Sequence, residues 1–230
     1  MTTALLTAAR FDRPDTIVRD QPFSFMVAHG VLPPDRRDDL ANDYPRYAEA
    51  GYFPYDEADC GPSVQRLVQR LTSPEIADTI GRHLGIENLA DKPVLVTLSR
   101  SLNRRHGTIH TDSRSKVATA LLYLNESWPD TSDGCLRFLS SVDDIDALLV
   151  PEVKPLYGEF VAFKRADNSF HGHLPYEGER RVIQVTWLVS EEAKNRKTQR
   201  GNLSRLFKKL AGGLDRKLGA KRGRNAAHTK

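Results

Sequence analysis

Beyond Lys92 the chain breaks into short apolar stretches, and this rhythm limits the fold more than any other feature of the sequence. "PVLVTLSR", "VATALLYLN", "CLRFL", "GEFVAFK" and "RVIQVTWLV" are rich in Val, Leu and aromatic residues. Turn signals such as "SWPDTSDG", "ADNS" and "PYEGE" separate them. Several short strands with no long helix between them point to an antiparallel sandwich or barrel. One segment, "SSVDDIDALLVPEVKPLYG", is long, acidic and irregular; insertions of this kind often border a site.

The preceding residues read differently. After a short extended start, "FSFMVAHGVLPP", the first ninety residues look mainly helical. Asp35–Tyr44 is one expected helix. "GPSVQRLVQRL" carries Val64, Leu67, Val68 and Leu71 on one helical face. In "SPEIADTIGRHLG", Ser73 is a good N-cap, Pro74 suits the first turn and Gly85 suits the C-terminal cap. The expected plan is a helical support region over residues 1–92, a β-rich core over 93–190 and a tail over 191–230.

Composition narrows the function classes. Among 230 residues there are two cysteines, Cys60 and Cys135, without CxxC spacing, which argues against a disulfide framework or a zinc knuckle. The first twenty residues lack a secretory apolar core, and no run approaches the ~18 apolar residues of a membrane span. The expected location is the cytoplasm. The net charge of +4 divides unevenly. Residues 191–230 hold thirteen Lys or Arg against three acidic residues (+10), leaving twenty-one basic and twenty-seven acidic before them (−6). The basic pI therefore belongs to the tail, and a nucleic-acid-binding body is not indicated. In the tail, Leu203, Leu206, Phe207, Leu210, Leu214 and Leu218 form a helical stripe flanked by Lys and Arg. Residues 201–224 could lie on an anionic membrane surface or dock on the domain or a partner.

The chemistry-bearing residues begin with "HTD". A lone His-x-Asp is a weak signal, but His110 and Asp112 are two apart, so on an extended segment they point to the same side. Some sixty residues later, "NSFHGHLP" offers His171 or His173 as a third ligand; on one strand face only one of them can reach the ion. Two imidazoles and one carboxylate cover one face of an octahedral ferrous ion, leaving three positions for a chelating co-substrate and O₂.

The ordered motifs resemble the 2-oxoglutarate- and Fe(II)-dependent oxygenases, in the prolyl-4-hydroxylase-like branch, from about Val94 to Val189. "HTD" is similar to their proximal His-x-Asp, "LLYLNESW" to a strand ending Tyr-Leu-Asn before a Trp, and "DGCLRFL" to a Gly-x-Leu-Arg strand. "FVAFKRADNSFHGHLP" resembles the approach to the distal histidine, and "RRVIQVTW" the strand that grips 2-oxoglutarate. The resemblance implies an α+β fold with a double-stranded β-helix (jelly-roll, cupin-like) core supported by N-terminal helices. It implies Fe(II) held by His110, Asp112 and His171, with 2-oxoglutarate and O₂ as co-substrates. His171 is preferred to His173 by its His-x-x-x-Pro pattern and its distance from the arginines. Arg181, preferred to Arg180 by its spacing to Trp187, would hold the far carboxylate with Tyr123, and Ser99 would add a contact. His173, Arg114 and Lys116 would stand beside the ligands or face substrate. The implied activity is hydroxylation of an unactivated C–H with release of succinate and CO₂. An aspartate at 112, rather than Ala or Gly, argues against a halogenating variant. Two rivals are a catalytically silent β-barrel binding module recruited by its tail, and a cupin-like metalloprotein that does not use 2-oxoglutarate. The Arg181 and Tyr123 pair argues against the latter. Arg137, Cys135, Trp128 and Trp187 read as structural.

Overall fold

Nine strands and three α-helices, with a further helical run over 191–199, make up the computed structural model, which describes residues 5–199. The strands are β1 (Ile17–Arg19), β2 (Phe25–Ala28), β3 (Tyr52–Pro54), β4 (Val94–Leu102), β5 (Lys116–Tyr123), β6 (Arg137–Phe138), β7 (Phe160–Lys164), β8 (His171–Gly172) and β9 (Gly178–Leu188). Seven of them form one antiparallel sheet in the order β1-β2-β7-β5-β9-β4-β3, and β6 pairs with β8 in a smaller one. All five stretches expected as strands are strands, and together they form the expected double-stranded β-helix core.

The large sheet has two different faces because side chains alternate along each strand. Met26, Leu98, Ala120, Leu122, Phe160, Ile183, Val185 and Trp187 belong to one core layer with Leu67, Ile76 and Ile80 of the helices. Phe25, Val27, Leu121, Tyr123, Val161, Phe163 and Val182 form a second layer with Leu136 and Phe138 at the small sheet. The Phe25 and Phe138 rings meet at 4.5 Å and Phe138 and Phe163 at 5.6 Å, so the two sheets share an apolar seam. Each such large side chain contributes about 1.5–3 kcal/mol by leaving water.

The helices are α1 (Arg37–Asp43), α2 (Pro62–Leu71) and α3 (Pro74–Leu84). Val64, Leu67, Val68 and Leu71 of α2 are all buried, as their spacing requires. On α3, Pro74 opens the first turn and Gly85, in the left-handed region at φ 62°, closes the last; Ser73 makes no side-chain capping bond. The N-terminal region departs from the expected helical support in one respect. It also supplies β1, β2 and β3, placing strands on both edges of the large sheet, so the boundary near residue 92 does not separate two structural bodies.

The irregular insertion after β6 is held from below. The Arg137 side chain is 6% exposed, pairs with Glu152 and Asp146, and donates to the Ile145 carbonyl at 3.2 Å. Among the described residues no helix is long and apolar enough to cross a membrane. The expected amphipathic helix over 201–224 lies outside the described residues.

Candidate metal and co-substrate site

The two histidines of the site are brought together by backbone pairing. His110 N donates to the His171 carbonyl and His171 N to the His110 carbonyl, both at 3.0 Å. This bridge sets the imidazoles side by side with ring centroids 4.4 Å apart. Asp112 follows on the same segment, and one potential ligand atom from each of His110, Asp112 and His171 lies within 4.8 Å of the others. Nδ1 of His110 is 2.8 Å from the Thr108 carbonyl, and Nδ1 of His171 is 2.9 Å from the Ser169 carbonyl. A carbonyl accepts only, so each Nδ1 carries hydrogen and each Nε2 presents its lone pair, the usual arrangement behind a metal-ligating imidazole. Burial lowers the His171 pKa to about 4 against the opposing charge of Asp112, which keeps this ring neutral at physiological pH.

Asp112 is held at both oxygens. Lys116 Nζ donates to Oδ1 at 2.6 Å and Thr119 Oγ1 to Oδ2 at 2.5 Å. Burial works to raise its pKa, but the Lys116 ammonium, His171 and the two hydrogen bonds outweigh it and hold the carboxyl below its ordinary range. The aspartate is thus an ionised, fixed carboxylate with lone pairs still available.

These groups line a cavity of about 360 Å³ whose walls include Leu121, Leu136 and Phe163. At another part of the wall stands Arg180, 1% exposed. Its Nε donates to the Gly134 carbonyl at 2.9 Å, its Nη2 to the Tyr123 hydroxyl at 3.1 Å, and its Nη1 approaches the Tyr52 hydroxyl at 3.5 Å. No carboxylate pairs with it among the described residues. Burial alone would lower its pKa, but the two tyrosines shift the balance toward the charged form. Burial pushes the Tyr123 hydroxyl up to about 12. Tyr123 therefore keeps its proton and stands against the guanidinium, with Arg180 4.9 Å over its ring.

Arg181, expected to hold the far carboxylate, is not at this wall. Its guanidinium pairs with Glu179 and borders a separate cleft with Trp128 and Tyr176. The physical reason is strand alternation. Arg180, Gln184 and Thr186 fall on the face of Val182, which packs in the inner layer, whereas Arg181 falls on the face of Ile183, Val185 and Trp187, which pack under the helices. Spacing to Trp187 selected the arginine that shares its face, and that face lies away from the cavity.

The other expected site residues divide. His173 and Lys116 line the cavity. Ser99 does not; it is fully buried and its hydroxyl donates to the Ser101 carbonyl at 3.3 Å. Arg114 lies outside, 85% exposed and 4.0 Å from Asp167. His173 packs flat against the backbone of Gly107, which has φ +95°; a Cβ there would come within 2.1 Å of the ring. Burial and the charge of Arg180 lower the His173 pKa to about 4. Sequence reasoning missed Tyr52, His106, Thr119 and Gln184, all on the cavity wall. For Gln184 a signal was present, because it alternates with the apolar residues of β9.

Residues 96–189 match the 2OG-Fe(II) oxygenase superfamily. No curated protein matches the chain. A prolyl-4-hydroxylase of Pseudomonas putida is similar in structure, with 19% identity, a TM-score of 0.49, and coverage of 71% of this chain and 92% of that one. A Trichoplax adhaerens prolyl hydroxylase, solved in complex with a hypoxia inducible factor oxygen degradation domain peptide fragment, has 13% identity and a TM-score of 0.49 over 82% of this chain and 90% of its own. AviO1 of Streptomyces viridochromogenes has 19% identity and a TM-score of 0.45 over 81% and 96%. The segment 96–189 belongs to the 2OG-Fe(II) oxygenase superfamily, an assignment that rests on the family match and is matched by the His-Asp-His donor set.

Proposed function

We propose that this chain, an oxygenase of the 2OG-Fe(II) superfamily over residues 96–189, hydroxylates an unactivated C–H of its substrate. The observation that carries the reading is a buried guanidinium without an anion. Arg180 shares one cavity with the His110, Asp112 and His171 donors, and among the described residues its hydrogen-bond partners are all neutral. A fully buried, unpaired cation is costly unless a ligand completes it, and a guanidinium fork matches a carboxylate. A dicarboxylate that chelates a metal at one end and needs a cation at the other fits both requirements.

In this reading His110, Asp112 and His171 would hold Fe(II), and Arg180, backed by Tyr123 and Tyr52, would hold the far carboxylate of 2-oxoglutarate. Iron with 2-oxoglutarate and O₂ supplies the oxidation of the C–H, with succinate and CO₂ as by-products. The chain's own part is orientation and dryness. Lys116 and Thr119 keep Asp112 ionised and aimed, the Thr108 and Ser169 carbonyls fix the imidazole tautomers, and Leu121, Leu136 and Phe163 keep water from the wall between them.

Anaerobic titration tests this reading. Fe(II) and 2-oxoglutarate together should give the weak visible charge-transfer band of a metal-bound keto acid, and admission of O₂ should release succinate. The band should vanish in Asp112→Ala and persist in His173→Ala. A protein that gives neither band nor succinate under these conditions is not a 2-oxoglutarate oxygenase.

A further inference from the structure

The charges of the cavity do not cancel, and the surplus identifies a property of the substrate. Of the acidic and basic side chains on its wall, one is Asp112 and two are Lys116 and Arg180, a balance of +1. This argument rests on the reading above, in which a divalent metal brings +2 and 2-oxoglutarate −2. Loading therefore leaves the balance at +1 but moves its location. Without metal, Asp112 neutralises Lys116 at 2.6 Å and Arg180 is the uncompensated cation. With both ligands in place, Arg180 has its carboxylate, and the single charge of Asp112 is shared between the metal and the Lys116 ammonium, which stays on Oδ1. The unmatched charge is then the Lys116 ammonium, whose side chain is only 14% exposed.

An ammonium in that position has two sources of relief, water or an anion. The apolar wall at Leu121 and Phe163 limits water, and a half-screened cation next to a dication is repelled by it. Arg104 and Arg105 are exposed on the loop that brings His106 and Gly107 to the wall and add positive charge near it. Asp112 is the only carboxylate lining the cavity among the described residues. Field lines from such a cleft draw anions inward.

We propose that the substrate of this enzyme carries an anionic group, a carboxylate or a phosphate, and that Lys116 receives it at the metal end of the cavity. Lys116 is thereby a specificity-determining residue: one of its three N–H donors stays on Asp112 Oδ1 and the others are free to receive the substrate's anion.

The test uses the full chain loaded with Mn(II) and saturating 2-oxoglutarate, so that Arg180 is occupied. Two probes are titrated separately: inorganic phosphate, followed by ³¹P relaxation, and acetate, followed by ¹³C relaxation of its carboxyl carbon. An anion held at Lys116 lies close enough to the paramagnetic ion for a saturable relaxation enhancement. The expected result is saturation by at least one probe, with the favoured probe indicating which group the substrate bears. Apparent affinity should fall at least tenfold in Lys116→Met and in a second neutral variant, Lys116→Gln, and return to within about threefold in Lys116→Arg. Absence of saturation by both probes, or saturation unchanged in the neutral variants, overturns the proposal. Electron paramagnetic resonance of free Mn(II) separates this failure from that of the parent reading. If the wild type does not bind Mn(II), or Asp112→Ala binds it equally well, the metal site itself is refuted and this inference falls with it.

Discussion

Exchange of the adjacent arginines of β9 for methionine gives the sharpest contrast the structure offers. Arg180 is 1% exposed and has only neutral partners among the described residues, so a bound carboxylate would supply the ionic partner they lack. Truncating one member of a buried, hydrogen-bonded charge pair costs about 2–5 kcal/mol. Taking about 3 kcal/mol, Arg180→Met should weaken 2-oxoglutarate binding roughly a hundredfold. Arg181 is paired with Glu179 on the opposite face, so Arg181→Met should change that affinity by less than about threefold. Folding should respond in the other direction from binding. Removing a buried cation that lacks an anion relieves desolvation, and the Gly134 carbonyl loses one donor, about 1 kcal/mol, so the melting temperature of Arg180→Met should move by only a few degrees. The assay is anaerobic titration of 2-oxoglutarate into Mn(II)-loaded protein, with Arg180→Lys as a partial rescue of charge without the fork. If Arg181→Met loses as much affinity as Arg180→Met, or Arg180→Met binds normally, the alternation argument is wrong.

Three further outcomes follow from the site and its supports. Asp112→Ala should reduce Mn(II) affinity by more than about a hundredfold in calorimetry, since it removes the only carboxylate of the donor set, while the fold persists. Gly107→Ala forces a left-handed backbone on a residue with a side chain and drives its Cβ into the His173 ring; a loss of about 1–3 kcal/mol in chemical denaturation is expected, and a neutral result would mean the loop relaxes freely. Arg137→Met should free the segment between residues 140 and 156 by removing the ion pairs of Glu152 and Asp146, seen as faster amide exchange confined to that segment, with about 2–3 kcal/mol lost overall.

How much of this was legible in the chain depends on element length. Strands of five residues or more, β4, β5, β7 and β9, carry enough alternating positions for period two to show. The three-residue β1 and β3 and the two-residue β8 do not, and tertiary pairing alone makes them strands. Tyr52 was invisible for that reason: it reaches the cavity only because β3 lies beside β4. The His110, Asp112 and His171 cluster was legible because these are residue types whose chemistry restricts what they can do together. The arginine was misjudged although its signal was present. In "RRVIQVTWL" the polar Gln184 and Thr186 share parity with Arg180, and the apolar Ile183, Val185 and Trp187 share parity with Arg181. An inward-facing arginine belongs with the polar set.

The pairing of residues 107–110 with 171–173 has a mechanical consequence. His173 N donates to the Gly107 carbonyl at 2.8 Å, and His110 and His171 exchange two bonds at 3.0 Å. Both imidazoles therefore hang from one short zipper, which fixes the spacing of the backbone that carries them. Damage elsewhere, such as a truncated side chain beneath α2 or α3, would loosen the whole body while the two rings drift in concert. Selection acting on the helices can then alter stability almost independently of ligand spacing. A heat-softened variant should still hold a divalent ion tightly until the zipper itself opens.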